Sequence, residues 1–116
     1  MAADAPVERQ LVARKGFSLN ERVLVTDRDT GLARNLTGYT PRLVINPSSG
    51  AQVIITTGTG LVLTPSAGQI DIKIDDAVTA GWTWDSGNYT LGIDNGNPEG
   101  HELLMYGSVL ARTVPV

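Results

Sequence analysis

Between Gln69 and Ile74 the chain alternates strictly: Ile70, Ile72 and Ile74 fall on one face, Asp71 and Lys73 on the other. A period of two is the mark of a strand with one side buried and one side wet. The same pattern places Phe17, Leu19, Val23 and Val25 together, opposite Ser18, Asn20, Arg22 and Leu24. Tyr89, Leu91 and Ile93 alternate through a segment spanning residues 87–94, and residues 8–13 form a shorter strand with Leu11 and Ala13 on one face. Val53, Ile55 and Thr57 interleave with Ile54 and Thr56 in a β-branched run that suits a strand and fits a helix poorly. Residues 42–46, 61–64 and 101–112 complete the set of extended segments.

Turn chemistry separates these segments. Arg14-Lys15-Gly16, Pro47-Ser48-Ser49-Gly50 and Pro65-Ser66-Ala67-Gly68 end strands, and residues 95–100 are turn-forming at nearly every position. Asp27-Arg28-Asp29-Thr30-Gly31 reads as a turn opened by Asp and closed by Gly. Pro41 donates no ladder bond and so is expected where a strand begins on an edge. Asp75 caps a single helical turn that runs to Gly81. About seven or eight short strands at regular spacing predict an antiparallel sandwich or small barrel. The expected layout is an N-terminal arm at 1–7, a sandwich at 8–112 and a tail at 113–116. Phe17, Leu19, Val23, Val25, Leu43, Ile45, Ile70, Ile72, Tyr89, Leu91 and Leu104 are the expected core.

Composition narrows the function classes. The 116 residues allow one hydrophobic core. The net charge of −3 and the scatter of Arg and Lys along the chain oppose nucleic-acid binding, which needs a concentrated basic stripe. No segment approaches the roughly 20 apolar residues of a membrane helix, and the first residues lack the basic and apolar runs of an export signal. The absence of cysteine excludes disulfides, thiolate metal sites and cysteine nucleophiles.

Catalysis finds no support among the motifs. The single histidine, His101, opens a strand beside a Gly-rich turn and reads as an edge residue; no nucleophile elbow occurs, so the chain is not expected to be an enzyme. The Asp27–Gly31 segment lacks the downstream Glu of a calcium loop, and Asp71, Asp75 and Asp76 are separated by strand alternation, so neither metal nor cofactor is expected. Asn35-Leu36-Thr37 and Asn88-Tyr89-Thr90 fit the glycosylation pattern and are read as turn-edge residues. Trp82 and Trp84 straddle Thr83 and share a face if extended. They are either core anchors or, with Tyr39, a stacking surface for a sugar or partner. The scarcity of aromatic residues favours packing, for Trp82 above all.

The run Leu36-Thr37-Gly38-Tyr39-Thr40-Pro41-Arg42-Leu43-Val44-Ile45-Asn46-Pro47 resembles a stretch of small β-sandwich proteins of tailed bacteriophages. A hairpin like residues 51–57 follows in that group. Next come segments like Gly60-Leu61-Val62-Leu63 and Gly68-Gln69-Ile70-Asp71-Ile72, an Asp/Ala/Thr-rich turn, a strand like Gly87-Asn88-Tyr89 and one like Leu103-Leu104-Met105-Tyr106-Gly107-Ser108-Val109. Over residues 16–112 the chain is similar to the immunoglobulin-like domain at the N-terminus of siphophage baseplate upper proteins. The resemblance implies an all-β immunoglobulin-like sandwich in a virion, assembled in the bacterial host cytoplasm. It implies a tail or baseplate adaptor that forms homo-oligomers, docks to other phage structural proteins and helps attach receptor-binding parts. Receptor-binding domains are then expected on another polypeptide. Docking by strand addition, helped by residues 1–6 and 113–116, is the expected mechanism. A head-decoration protein of the capsid and a carbohydrate- or receptor-binding module are the alternatives.

Overall fold

A computed structural model describes residues 7–27, 30–96 and 101–113. Among these the chain is an all-β sandwich. Its strands are β1 (Val7–Glu8), β2 (Leu11–Arg14), β3 (Leu19–Leu24), β4 (Thr40–Pro47), β5 (Val53–Thr56), β6 (Leu61–Thr64), β7 (Gln69–Ile74), β8 (Ser86–Asp94) and β9 (Glu102–Arg112). A 3-10 turn, Pro65–Ala67, precedes β7, and the helical turn α1, Asp76–Ala80, follows it. The larger sheet has the order β1-β9-β8-β4-β5, with β2 also paired to β9, and the smaller has the order β3-β7-β6.

The alternation read from the sequence points the side chains inward. Leu43 and Ile45 of β4, Tyr89, Leu91 and Ile93 of β8, and Val109 and Ala111 of β9 are all buried, as are Leu19, Ile70, Ile72, Ile74 and Leu61 of the facing sheet. Each fully buried Leu or Ile contributes roughly 1.5–3 kcal/mol of transfer free energy. Leu36, in the loop between the two sheets, is wholly buried with them.

Several expectations are corrected. Phe17 is 56% exposed: it lies in the turn where its N–H donates to the Arg14 carbonyl at 3.0 Å, and β3 begins only at Leu19, so the period of two does not reach it. Val23 and Leu104 pack against the core but are only half-buried. Pairing is antiparallel except that β1 and β2 run parallel to β9, with Val7 opposite Met105 and Leu11 opposite Val109. Val7, placed in the arm by the sequence, is paired with Met105; residues 1–6 of that arm lie outside the described residues. Pro41 lies in β4, an interior strand; β5 pairs with β4 only from Arg42 onward, so Pro41 occupies an overhang where one side has no strand to bond. Asn88 sits within β8 opposite Asn46 and Ser108, not at a turn. Asp75 takes the N-cap position of α1 without a side-chain bond. The helical turn is held instead by buried Thr79, whose hydroxyl lies 2.7 Å from the Phe17 carbonyl and accepts from the Gly16 N–H at 3.2 Å.

Two irregularities shape the larger sheet. Between β1 and β2 the ladder to β9 is interrupted at Arg9 and Gln10 without a change of register, beside Gly107, whose φ is +153°. A Cβ at Gly107 would collide with the Arg9 carbonyl. That carbonyl accepts the Tyr89 hydroxyl at 2.5 Å, and burial pushes the Tyr89 hydroxyl up to about 12. Between β8 and β9 the register slips by one residue: Leu91 faces Met105 but Gly92 faces Leu103, so Leu104 is the extra residue of a bulge. Beyond it Glu102 stands opposite Ile93, which turns Glu102 toward the core face.

Candidate functional site

The bulge gives Glu102 a partner. Arg34 lies on the loop from β3 to β4 and is 7% exposed. Val25 donates to the Gly68 carbonyl at 2.7 Å, Arg34 donates its N–H to the Val25 carbonyl at 2.9 Å, and Leu36 donates to the Pro65 carbonyl at 2.9 Å. Gly68, at φ +61°, abuts the backbone of Val25 and Arg34 so closely that no side chain would fit. From this anchored loop the Arg34 guanidinium donates to both oxygens of Glu102, at 2.6 and 2.7 Å. Nη2 also donates to the Tyr39 hydroxyl at 3.1 Å, and the guanidinium carbon lies 5.2 Å from the Tyr39 ring centre. The hydrogen bond from Arg34 holds the Glu102 carboxyl below its ordinary value, and Glu102 in turn raises Arg34 far above the physiological range. This is a bidentate staple between the crossing loop and β9.

The candidate stacking residues are therefore placed in structural roles. Tyr39 is half-buried with its hydroxyl and one ring face engaged by Arg34. Trp82 and Trp84 do share a face, with ring centres 4.7 Å apart and planes at 30°. They are 8% and 4% exposed, so they present no open ring surface to a sugar or a partner. Both belong to the buried core cluster. The aromatic trio is not brought together as one surface.

Polar chemistry elsewhere is sparse. His101 is exposed, with Nε2 3.4 Å from an Asp94 oxygen. No three His, Cys, Asp or Glu side chains converge as a metal site among the described residues. Asp71, on the outer face of the smaller sheet, accepts from Arg22 Nε and Gln69 Nε2, each at 2.9 Å; Arg22 foremost, then Gln69, lowers its carboxyl.

What the sequence did not single out is the margin where the sheets part. A cleft of about 240 Å³ runs between β3 on one side and β1 with β9 on the other. Val23, Val25, Leu104 and Met105 line it, with Val7 and Leu24 at its rim; these last two are 58% and 63% exposed. At one end Arg9 of the β1 margin pairs with Glu21 of β3 at 2.9 Å and ties the sheets together. Among the described residues β3 pairs with β7 alone, so its other side is an open strand edge. By contrast, the margin of β5 is capped at Thr56, whose N–H donates to the Thr59 hydroxyl at 2.9 Å and whose carbonyl accepts from the Thr59 N–H at 3.1 Å. An apolar cleft beside a free edge binds extended backbone: main-chain hydrogen bonds supply affinity and the cleft selects side chains.

No protein-family model matches the chain, and no curated protein sequence matches it. Its fold is similar to that of the N-terminal domain of phage TP901-1 ORF48, with a TM-score of 0.58 over 95% of this chain and 92% of that one. The two are 8% identical, so the likeness is one of fold.

Proposed function

We propose that this chain is a structural protein of a tailed-phage virion, serving in the tail or baseplate as an adaptor that docks to neighbouring subunits and helps attach receptor-binding parts. The observation that carries the reading is the end-to-end correspondence, 95% of one chain on 92% of the other, with a domain of a phage protein. The open edge of β3 beside an apolar cleft supports docking through backbone. In this reading the chain is not an enzyme. Its ionisable side chains serve structure: Arg34, Glu102, Arg22 and Asp71 are engaged with one another, and His101 is exposed at the start of a strand. Its partners are other virion proteins and further copies of itself.

Immunogold electron microscopy of virions carrying this chain, with antibody raised against the purified protein, tests the proposal. Label along the tail or at its tip is expected. Label on the head would replace the adaptor role with capsid decoration, and unlabelled particles whose protein content lacks the chain would remove it from the virion.

A further inference from the structure

The single phenylalanine of the chain, Phe17, lies outside the core and is more than half exposed. Its backbone is nevertheless fixed. Its N–H donates to the Arg14 carbonyl, and the Thr79 hydroxyl donates to its carbonyl while accepting from the Gly16 N–H. Those bonds set the turn between β2 and β3 against α1. Val78, beside Thr79, is 41% exposed, and Ala77, Ala80 and Gly81 around it are exposed and small. Phe17 and Val78 thus give an apolar centre to the end of the sandwich where β2, β7 and β9 finish.

Charges of both signs share this end. Arg14 and Arg112 stand directly opposite each other across the β2–β9 ladder, on the outer face, alternating with buried Ala13 and Ala111. Like charges placed so repel. Asp75 and Asp76, both exposed, open α1, and the Asp75 side chain caps nothing. Among the described residues none of these four makes an ion pair or a side-chain hydrogen bond. Lys15 is already paired with Asp85, and Lys73, two residues before Asp75, makes no bond to it.

We propose that this end is a two-fold contact between two copies of the chain. Phe17 and Val78 of each copy meet at the centre, and the two arginines of each face the two aspartates of the other. The contact rests on the reading that further copies of the chain are among its partners, and gives them a surface. Charge complementarity names the occupant. Two cations and two anions at one end are answered by a surface carrying two anions and two cations. A two-fold axis through the apolar centre supplies that surface by bringing the end against itself. A wholly acidic or wholly basic partner would satisfy one pair and repel the other. Residues 1–6 and 114–116, outside the described residues, contain no lysine or arginine and so bring nothing to the aspartates. An apolar centre inside a charged rim is the anatomy of a protein contact, with a buried aromatic as its main anchor. Being isologous, the contact closes at two copies.

Sedimentation of the full chain over a concentration series is expected to show a monomer–dimer equilibrium that salt weakens. Phe17→Ser should weaken it at least tenfold. Leu32→Ser, at an exposed apolar residue on the loop beyond the far end of β3, should leave it unchanged. Charge reversal tests the two-fold arrangement. A chain with Arg14→Glu and Arg112→Glu has an end of one sign, and a chain with Asp75→Lys and Asp76→Lys has an end of the other. Each alone should stay monomeric, and an equimolar mixture should recover the dimer as a heterodimer. Circular dichroism first shows that each chain is folded; if a reversed chain is not, the Phe17→Ser comparison decides alone. A wild-type chain that stays monomeric, a dimer indifferent to Phe17→Ser, or folded reversed chains that do not associate on mixing would each overturn the contact. Tail label on virions together with a monomeric chain would remove this contact and keep the adaptor role; a dimer that obeys the reversals with unlabelled virions would do the reverse.

Discussion

The guanidinium of Arg34 is 7% exposed and spans both oxygens of a carboxylate whose own side chain is 22% exposed, so removing either charge strands the other in a poorly solvated place. Glu102→Gln is expected to destabilise the fold by about 3 kcal/mol, the lower end for a broken buried pair because Glu102 retains some water. Urea unfolding at neutral pH measures this. The acid limb follows from the same bond. Glu102 and Asp71 both titrate below their ordinary values of 4.5 and 3.8 in the folded chain, so the unfolded chain takes up protons first as pH falls. Their stabilisation is complete above those ordinary values and is lost as pH drops toward the folded ones. Glu102→Gln should flatten that decline in a pH series of melting temperatures, leaving the Asp71 part. Gly107 offers a second test at this scale. Gly107→Ala sets a Cβ against the Arg9 carbonyl at a positive φ and should cost about 2 kcal/mol or more, read as a lower unfolding midpoint. Neither residue stood out in the sequence. Arg34 was one of nine dispersed cations, and its importance comes from a partner 68 positions away.

At the scale of elements, alternation was a sound guide wherever a strand is regular. Ile70, Ile72 and Ile74, and Tyr89, Leu91 and Ile93, are buried because nothing interrupts their pleat. It was a poor guide at interruptions: Phe17 lies before its strand begins, and Leu104 is the surplus residue of a bulge. A bulge has no composition of its own here, since Glu102-Leu103-Leu104-Met105 reads equally well as a plain strand. Its effect is large, because a shift of one residue exchanges the two faces. Deleting Leu104 should leave a plain ladder in which Leu103 still faces Gly92 on the outer side and Glu102 still faces Ile93 on the core side, so that Arg34 keeps its partner. The deletion is expected to cost less stability in urea than Glu102→Gln, and the Glu102 carboxyl, followed by NMR, should stay below its ordinary value; a return to the ordinary range would show that the staple needs the bulge itself. The parallel pairing of β1 and β2 with β9 was equally hidden. It joins the two ends of the chain, and local periodicity carries no information about such distant partners.

For the whole molecule, the sequence pointed to two sheets around one core, and that architecture is what the chain adopts. The unequal division into larger and smaller sheets was not legible, nor was the cleft it leaves, because both depend on which strands pair. The aromatic residues illustrate the same limit: Trp82 and Trp84 share a face as their spacing required, yet that face is interior. Their emission should accordingly be blue-shifted, resist acrylamide quenching until the chain unfolds, and stay unchanged through a titration with host-surface glycans. A sugar-dependent spectral change would contradict their placement.

The parallel zipper between the first and last strands also has a mechanical meaning. Val7 lies opposite Met105 and Arg14 opposite Arg112, so traction applied before Val7 and after Arg112 pulls the paired strands along their own axes in opposite directions. Such a load is shear: the ladder bonds along β2 share the strain and must fail together, whereas a hairpin pulled at its open end peels one bond at a time. A module clamped in this way suits a position where tension passes from one end of a polypeptide to the other.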